Sequence, residues 1–191
     1  MIVPVKGTAA AKSRLGASPD LVLGIALDSV EAALGAARVI VVTAPDVSRA
    51  FSILGADVVE DAGGGLLAAC RQGIAAAGSG RVAVMLGDVP ALRSLELATA
   101  LELAEQHPLA FVPDADNVGT VLITALDSTN HAAAFGSDSR AAHLDAGYVE
   151  LEVPAWWGLR RDVDTAAQLA TIPRSALGAR TRRALSAGQQ K

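Results

Sequence analysis

Residues 81–90 read Arg81-Val82-Ala83-Val84-Met85-Leu86-Gly87-Asp88-Val89-Pro90. An uninterrupted apolar run between an arginine and a glycine predicts a short strand buried on both faces. In open α/β sheets, ligands sit beyond the carboxyl ends of the strands, which is where this run delivers a carboxylate. Gly87 allows the backbone to approach a ligand closely, and Asp88 puts a charge beside it. The competing reading of Asp88 is a helix cap or an Asx turn. Pro90 suits the opening of the next helical turn.

The segments around this strand repeat a simple alternation. Ile2–Val5, 38–43 and 57–60 read as short strands, and 21–34, 45–54 and 66–77 as helices. In the first helix Leu23, Ala26, Leu27, Val30 and Leu34 recur at helical spacing. Ser94 stands as an N-cap for a helix reaching 106. Further strands are expected over 109–113, 119–126 and 148–153, and a short helix capped by 164–165 ends near Leu169. Arg180, Arg182 and Arg183 lie on a helical tail. Strand–helix alternation argues a mostly parallel sheet with helices on both faces. The fold class is therefore α/β, a Rossmann-like single domain over 1–191, which suits the length of 191 residues. Hydrophobic residues make up 51% with few aromatics, as Ala-rich helices packed on Val-rich strands require.

A net charge of −4 excludes a global field that would attract nucleic acid, so an anionic ligand needs a local cationic patch. The loop after the first strand supplies one. Lys6, Lys12 and Arg14 fall within nine residues, and Gly7 gives the loop freedom. Such a loop can wrap a polyphosphate with backbone N–H groups while the side chains neutralise charge. The order of residues is not that of a Walker loop. Asp88 beside this loop suits Mg²⁺, which takes one or two carboxylates plus substrate phosphates. Asp162 and Asp164, two residues apart on an extended segment, point to one side. One of them completes a metal site with Asp88 in this reading, and Asp164 also serves as a cap. Thr120 and the run Phe135-Gly136-Ser137-Asp138-Ser139 offer hydroxyls and amides to a small carboxylate or phosphate.

Other chemistries find less support. His107, His131 and His143 share no ligand spacing and read as surface residues. Cys70, alone in the sequence, reads as a small buried hydrophobe. Gly63-Gly64-Gly65-Leu66-Leu67-Ala68 fits a dinucleotide fingerprint on paper, but that would leave the cationic loop unexplained. No basic leader precedes a long apolar stretch and no apolar run reaches membrane-spanning length, so a cytoplasmic protein without a membrane partner is expected.

Val3-Pro4-Val5-Lys6, Ala11-Lys12-Ser13-Arg14-Leu15, Leu86-Gly87-Asp88-Val89-Pro90, Gly119-Thr120, Phe135-Gly136 with Ser139, and Asp162-Val163-Asp164-Thr165 occur in this order. The chain resembles the CofC/FbiD family, guanylyltransferases of coenzyme F-420 biosynthesis, over about 3–169. The resemblance implies a MobA-like nucleotidyltransferase fold. It also implies coupling of GTP to phosphoenolpyruvate or 2-phospho-L-lactate, with release of pyrophosphate. Pro4, Val5, Lys6, Lys12, Arg14, Gly64, Gly65 and Gly87 would hold the nucleotide, with Lys12, Arg14 and Asp88 catalytic. Asp88 and one of Asp162 or Asp164 would hold Mg²⁺, and Thr120, Gly136 and Ser139 the acceptor acid. A monomer or homodimer is implied. The family's Gly-Leu-Asn is Gly65-Leu66-Leu67 here, so its base-facing amide is absent. An acceptor such as molybdopterin or a sugar phosphate, or a non-catalytic nucleotide-binding role, are the alternatives.

Overall fold

The computed structural model describes residues 1–5 and 18–188. The elements in chain order are β1 (Ile2–Val5), α1 (Pro19–Leu34), β2 (Ile40–Thr43), α2 (Pro45–Ile53), β3 (Asp57–Glu60), α3 (Leu66–Ala77) and β4 (Val82–Met85). They continue with α4 (Ser94–Ala104), β5 (Leu109–Pro113), β6 (Thr120–Ala125), α5 (Ser139–Asp145), β7 (Val149–Glu150), α6 (Ala166–Thr171) and α7 (Ala179–Gly188). Single 3₁₀ turns occupy Ser128–Asn130 and Gly158–Arg160.

The strands form one sheet in the order β3-β2-β1-β4-β6-β5-β7. β6 runs antiparallel to both of its neighbours, and every other pair is parallel. Side chains alternate across the sheet with a period of two. Val3, Val5, Val41, Ala83 and Met85 face α1, α2 and α4 through Val30, Phe51 and Leu97. Ile2, Val42, Val82 and Val84 face the other way, onto Ala69 and Cys70 of α3. Both faces are thus covered, as expected for a parallel sheet. Burial pushes the Cys70 thiol up to about 12, so it behaves as the apolar residue read from the sequence.

Pro4 explains where the sheet opens. β1 meets β4 through the single pair Ile2↔Val84, whereas it pairs with β2 along its whole length. Proline has no N–H to extend a ladder. Beyond Ile2 the two strands are therefore no longer paired. Since the chain steps from β1 to β2 and β3 and then returns to the opposite side of β1, this is the topological switch point of the sheet.

Two buried acceptors tie the end of the chain to this centre. Asp28 of α1, 7% exposed, accepts hydrogen bonds from the Arg180 and Thr181 N–H groups at 3.2 and 2.8 Å and from the Thr181 hydroxyl at 2.7 Å. It thereby caps α7 from another helix, satisfying amides that have no partner inside α7. Arg180 also pairs with Asp28 and Glu31, so this arginine of the tail is a structural cation. The Pro90 carbonyl accepts from Gly178 N at 2.8 Å.

Four local expectations are corrected. Pro90 lies in a turn before α4 and does not open that helix. Arg93 is the residue at the N-cap of α4, without a side-chain cap bond, because the Ser94 side chain lies against Gly35 at the end of α1. The 148–153 strand shrinks to Val149–Glu150. His131 and His143 are not surface residues. His107 is half-buried, His143 is fully buried, and His131 spans Tyr148 Oη at 2.9 Å and the Val82 carbonyl at 3.3 Å. Burial lowers the His131 pKa to about 4.

At Gly178 an added Cβ would collide with the Asp28 carboxyl group. Gly178→Ala is therefore expected to destabilise the protein by about 1–3 kcal/mol, the usual cost of overpacking. Urea unfolding checks this; an unchanged midpoint would show that the clamp yields without cost.

Candidate active site

Where β1 and β4 part, a cavity of about 820 Å³ opens at their carboxyl ends. Pro4 and Val5 form its floor, and Val22, Ile25 and Ala26 of α1 form one wall. Gly87 crosses directly over β1: a Cβ there would lie 3.2 Å from the Pro4 carbonyl oxygen and 3.0 Å from a Val5 methyl. A side chain here would press on the strand, and the turn delivers Asp88 to the cavity edge.

That turn is held from both sides. Ser29 of α1, fully buried, donates to the Ile25 carbonyl at 2.9 Å and accepts from Val89 N at 3.0 Å. The Asp88 main-chain carbonyl accepts from Val163 N at 2.9 Å. This last bond brings Asp162 and Asp164, distant in sequence, beside Asp88. Burial, followed by the negative charges of Asp88, Asp114 and Asp164, pushes the Asp162 carboxyl up to about 7. Crowded carboxyl groups on one cavity invite a cation. Among the described residues no three His, Cys, Asp or Glu side chains close into a ligand set. Two carboxylates completed by substrate phosphates are the pattern that suits a hard divalent ion. Asp164 is exposed, and the cap of α6 is Thr165, which forms a capping box with Gln168.

The opposite wall comes from the second half of the chain. Thr120, 2% exposed, opens β6 and lines the cavity. Gly136 and Ser139 line it too, at the entry to α5, where Gly136 has φ +148° and Asp138 φ +56°. α5 is docked by Arg140 N donating to the Val118 carbonyl at 3.1 Å. The β5–β6 turn is fixed by Asp114, whose carboxylate accepts from Val118 N at 2.9 Å and Gly119 N at 2.7 Å. Arg160, 6% exposed, donates to the Asp114 carbonyl at 2.7 Å and to Asn117 at 2.6 Å. Sequence reading gives no role to Arg160; an Arg160-Arg161 pair after two tryptophans carries no signal of burial.

The glycine run divides. Gly63, Gly64 and Gly65 all have φ near +90°, a backbone open to glycine in particular. Gly65 and Leu66 reach the cavity, whereas Gly64 packs over Ala68 and stands outside the wall. Asp61 lines the cavity beside them, and its Oδ1 accepts from Gly63 N at 2.9 Å. Sequence reading passes over Asp61, which sits between a strand end and glycines and looks like an ordinary turn residue. Lys6, Lys12 and Arg14 lie outside the described residues, between β1 and α1.

The arrangement offers carboxylates on one side of a cleft, hydroxyl and amide groups on the other, and a glycine-lined end large enough for a nucleoside. The family model of the MobA-like NTP transferase domain matches residues 12–155. A phosphoenolpyruvate guanylyltransferase of Streptomyces coelicolor is 43% identical, over 99% of this chain and 98% of its own length. One from Salinispora arenicola is 44% identical over 95% of this chain and 90% of its own. Among solved structures, a nucleotidyl transferase from Methanothermobacter superposes with a TM-score of 0.64 at 22% identity, covering 92% of this chain and 97% of its own. That likeness concerns the fold. With a domain match over most of its length and near-full-length relatives above 40% identity, the chain belongs to the MobA-like NTP transferase family, among the phosphoenolpyruvate guanylyltransferases.

Proposed function

We infer that this enzyme joins GTP to phosphoenolpyruvate and releases pyrophosphate, as a cytoplasmic step towards coenzyme F-420. The observation that carries this reading is the convergence of Asp88, Asp162, Thr120 and Ser139 on one cavity at the sheet's switch point. The names of the relatives favour phosphoenolpyruvate over 2-phospho-L-lactate as the acceptor.

A phosphate oxygen of the acceptor attacks the α-phosphorus of GTP in line. The new P–O bond forms as the bond to the β-phosphate oxygen breaks, and pyrophosphate leaves with the electron pair. The attacking oxygen is already anionic at neutral pH, so no general base is needed. The barrier lies in bringing anions together and in charge growing on the leaving group. Positioning and electrostatic stabilisation lower it. Asp88 and Asp162 would hold Mg²⁺, which when bound would neutralise phosphate charge. Pro4, Val5, Gly65 and Gly87 shape the nucleotide's bed. Lys6, Lys12 and Arg14, in the sequence between β1 and α1, would balance the triphosphate and then the pyrophosphate. Thr120, Gly136 and Ser139 receive the acceptor acid.

Asp61 takes the part of base reader. Guanine presents N1–H and 2-amino donors, and a carboxylate accepts from both, whereas adenine offers no such pair. Such a contact would make good the amide that the resemblance leads one to expect where Leu67 stands.

Pyrophosphate release from each of four NTPs, with Mg²⁺ and with or without phosphoenolpyruvate or 2-phospho-L-lactate, tests the reaction. Release that requires GTP and phosphoenolpyruvate together is expected; silence with every pair from folded enzyme would sink the reading. Asp88→Asn is expected to lower turnover by at least about 10²-fold, the scale of losing one preorganised electrostatic group, while melting stays cooperative. Undiminished turnover would remove Asp88 from the metal role. Asp61→Ala is expected to narrow the preference for GTP over ATP in kcat/KM by about tenfold or more, the worth of a good bidentate base contact. An unaltered preference would exclude Asp61 as the base reader.

A further inference from the structure

His143 reads by sequence as a surface residue, and the site described above leaves it without a task. It lies on α5, fully buried, with ring centroids 5.9, 5.5 and 5.2 Å from those of Phe111, Phe135 and Tyr148. Both ring nitrogens are engaged. The Ala134 backbone N–H donates to Nε2 at 3.1 Å, and Nδ1 lies 2.9 Å from Thr120 Oγ1. Thr120 in turn lines the cavity.

These two contacts determine where the protons are. A backbone N–H can only donate, so Nε2 must offer its lone pair and carries no proton. That excludes the imidazolium, which has N–H on both nitrogens. Burial among aromatic rings acts in the same direction, lowering the His143 pKa. A neutral ring holds one proton, which must then reside on Nδ1; Thr120 Oγ1 at 2.9 Å is its hydrogen-bond partner, and the Ser139 carbonyl one turn back on α5 draws the same proton and so also favours this tautomer. The threonine hydroxyl accepts from the ring and cannot donate to it. Among the described residues Thr120 Oγ1 has no further hydrogen-bond partner. Its own proton is therefore free for the cavity.

We propose that His143 is a positioning residue that holds the Thr120 hydroxyl as an obligate hydrogen-bond donor to an anionic oxygen of the acceptor acid. This rests on the reading of Thr120 as an acceptor contact. A hydroxyl on its own rotates between donor and acceptor roles and shows no preference for an anion. Fixed by the ring, it favours a carboxylate or phosphate oxygen over a neutral acceptor, and the hydrogen bond is charge-assisted. The chain Ala134 N–H, imidazole, Thr120 hydroxyl runs in one direction, each group accepting behind and donating ahead.

The test separates the two ring nitrogens. His143→Asn keeps an N–H near the Nδ1 position; His143→Gln keeps an acceptor near the Nε2 position and loses the donor to Thr120. His143→Gln and Thr120→Val are each expected to raise KM for phosphoenolpyruvate about tenfold or more, the cost of a hydrogen bond to a charged group. KM for GTP should stay within about twofold of wild type. His143→Asn and Thr120→Ser should lie nearer wild type. The double variant His143→Gln/Thr120→Val should be no worse than the weaker single variant, because both remove one interaction. Equal losses for both substrates, or additive effects, would overturn the proposal. Nitrogen-15 shifts of the His143 ring in the unliganded wild-type enzyme provide a reading free of turnover. A proton on Nδ1 is expected; a proton on Nε2 overturns the proposal whatever the acceptor is and however the variants fold. Failure of the wild type to use phosphoenolpyruvate would instead count against the proposed reaction, and the nitrogen shifts would still judge His143.

Discussion

The hydrogen bond from Val163 N to the Asp88 carbonyl is the contact on which the acidic side of the cavity depends. Asp88 follows a central strand, whereas Asp162 belongs to an irregular segment much later in the chain. A main-chain bond fixes their spacing more firmly than side-chain contacts could, since the carboxylates themselves repel. Burial first, and then its acidic neighbours, push the Asp162 carboxyl up to about 7. Backbone hydrogen bonding supplies the energy that holds these groups close before any ligand arrives. That is preorganisation in the strict sense: the unfavourable approach of like charges is met during folding, not during turnover.

The remainder of the cavity follows the same logic with different parts. Ser29 ties the Gly87–Asp88 turn to α1, and Arg160 ties the β5–β6 turn to the segment after β7. In each case a buried polar side chain satisfies main-chain groups of a loop. The loops that meet at the cavity are irregular, and buried amides without partners would be costly. The sheet gives the position of the cavity; these buried polar anchors give its shape.

The strands of the parallel half are legible because each is a compact apolar run, and the helices between them because Leu, Val and Ala recur at helical spacing. Asp88 is legible with them: a carboxylate immediately after a central strand is carried to the mouth of the sheet by the direction of the chain alone. The second half resists. α5 is only seven residues long and contains Arg140, His143 and Asp145, so its pattern carries no clear buried face. The burial of His143 depends on Phe111, Phe135 and Tyr148, which come together only when β5, β7 and the loop before α5 are in place. Arg160 and Asp61 escape because their partners are mostly backbone atoms, which leave no trace in sequence, and because the side-chain partner of Arg160, Asn117, lies 43 residues away. Ser94 misleads because a residue well suited to capping is claimed by packing against Gly35.

Asp28 bears on the order in which this molecule is made. Its carboxylate lies on the second element of the chain and its amide partners on the last, 152 and 153 residues away. Such a contact has a very high sequence separation and its loop-closure entropy must be met before it gives anything back. As the polypeptide leaves the ribosome, α1 emerges early, carrying a charge that it cannot bury until α7 arrives. Until then the face of α1 beside Asp28 lacks the helix that covers it in the folded protein, where Val22, Ile25 and Ala26 of the same helix form the cavity wall. Docking of the last helix completes the first one, and a nascent chain halted before it would hold the whole sheet yet lack a settled back to its binding cleft.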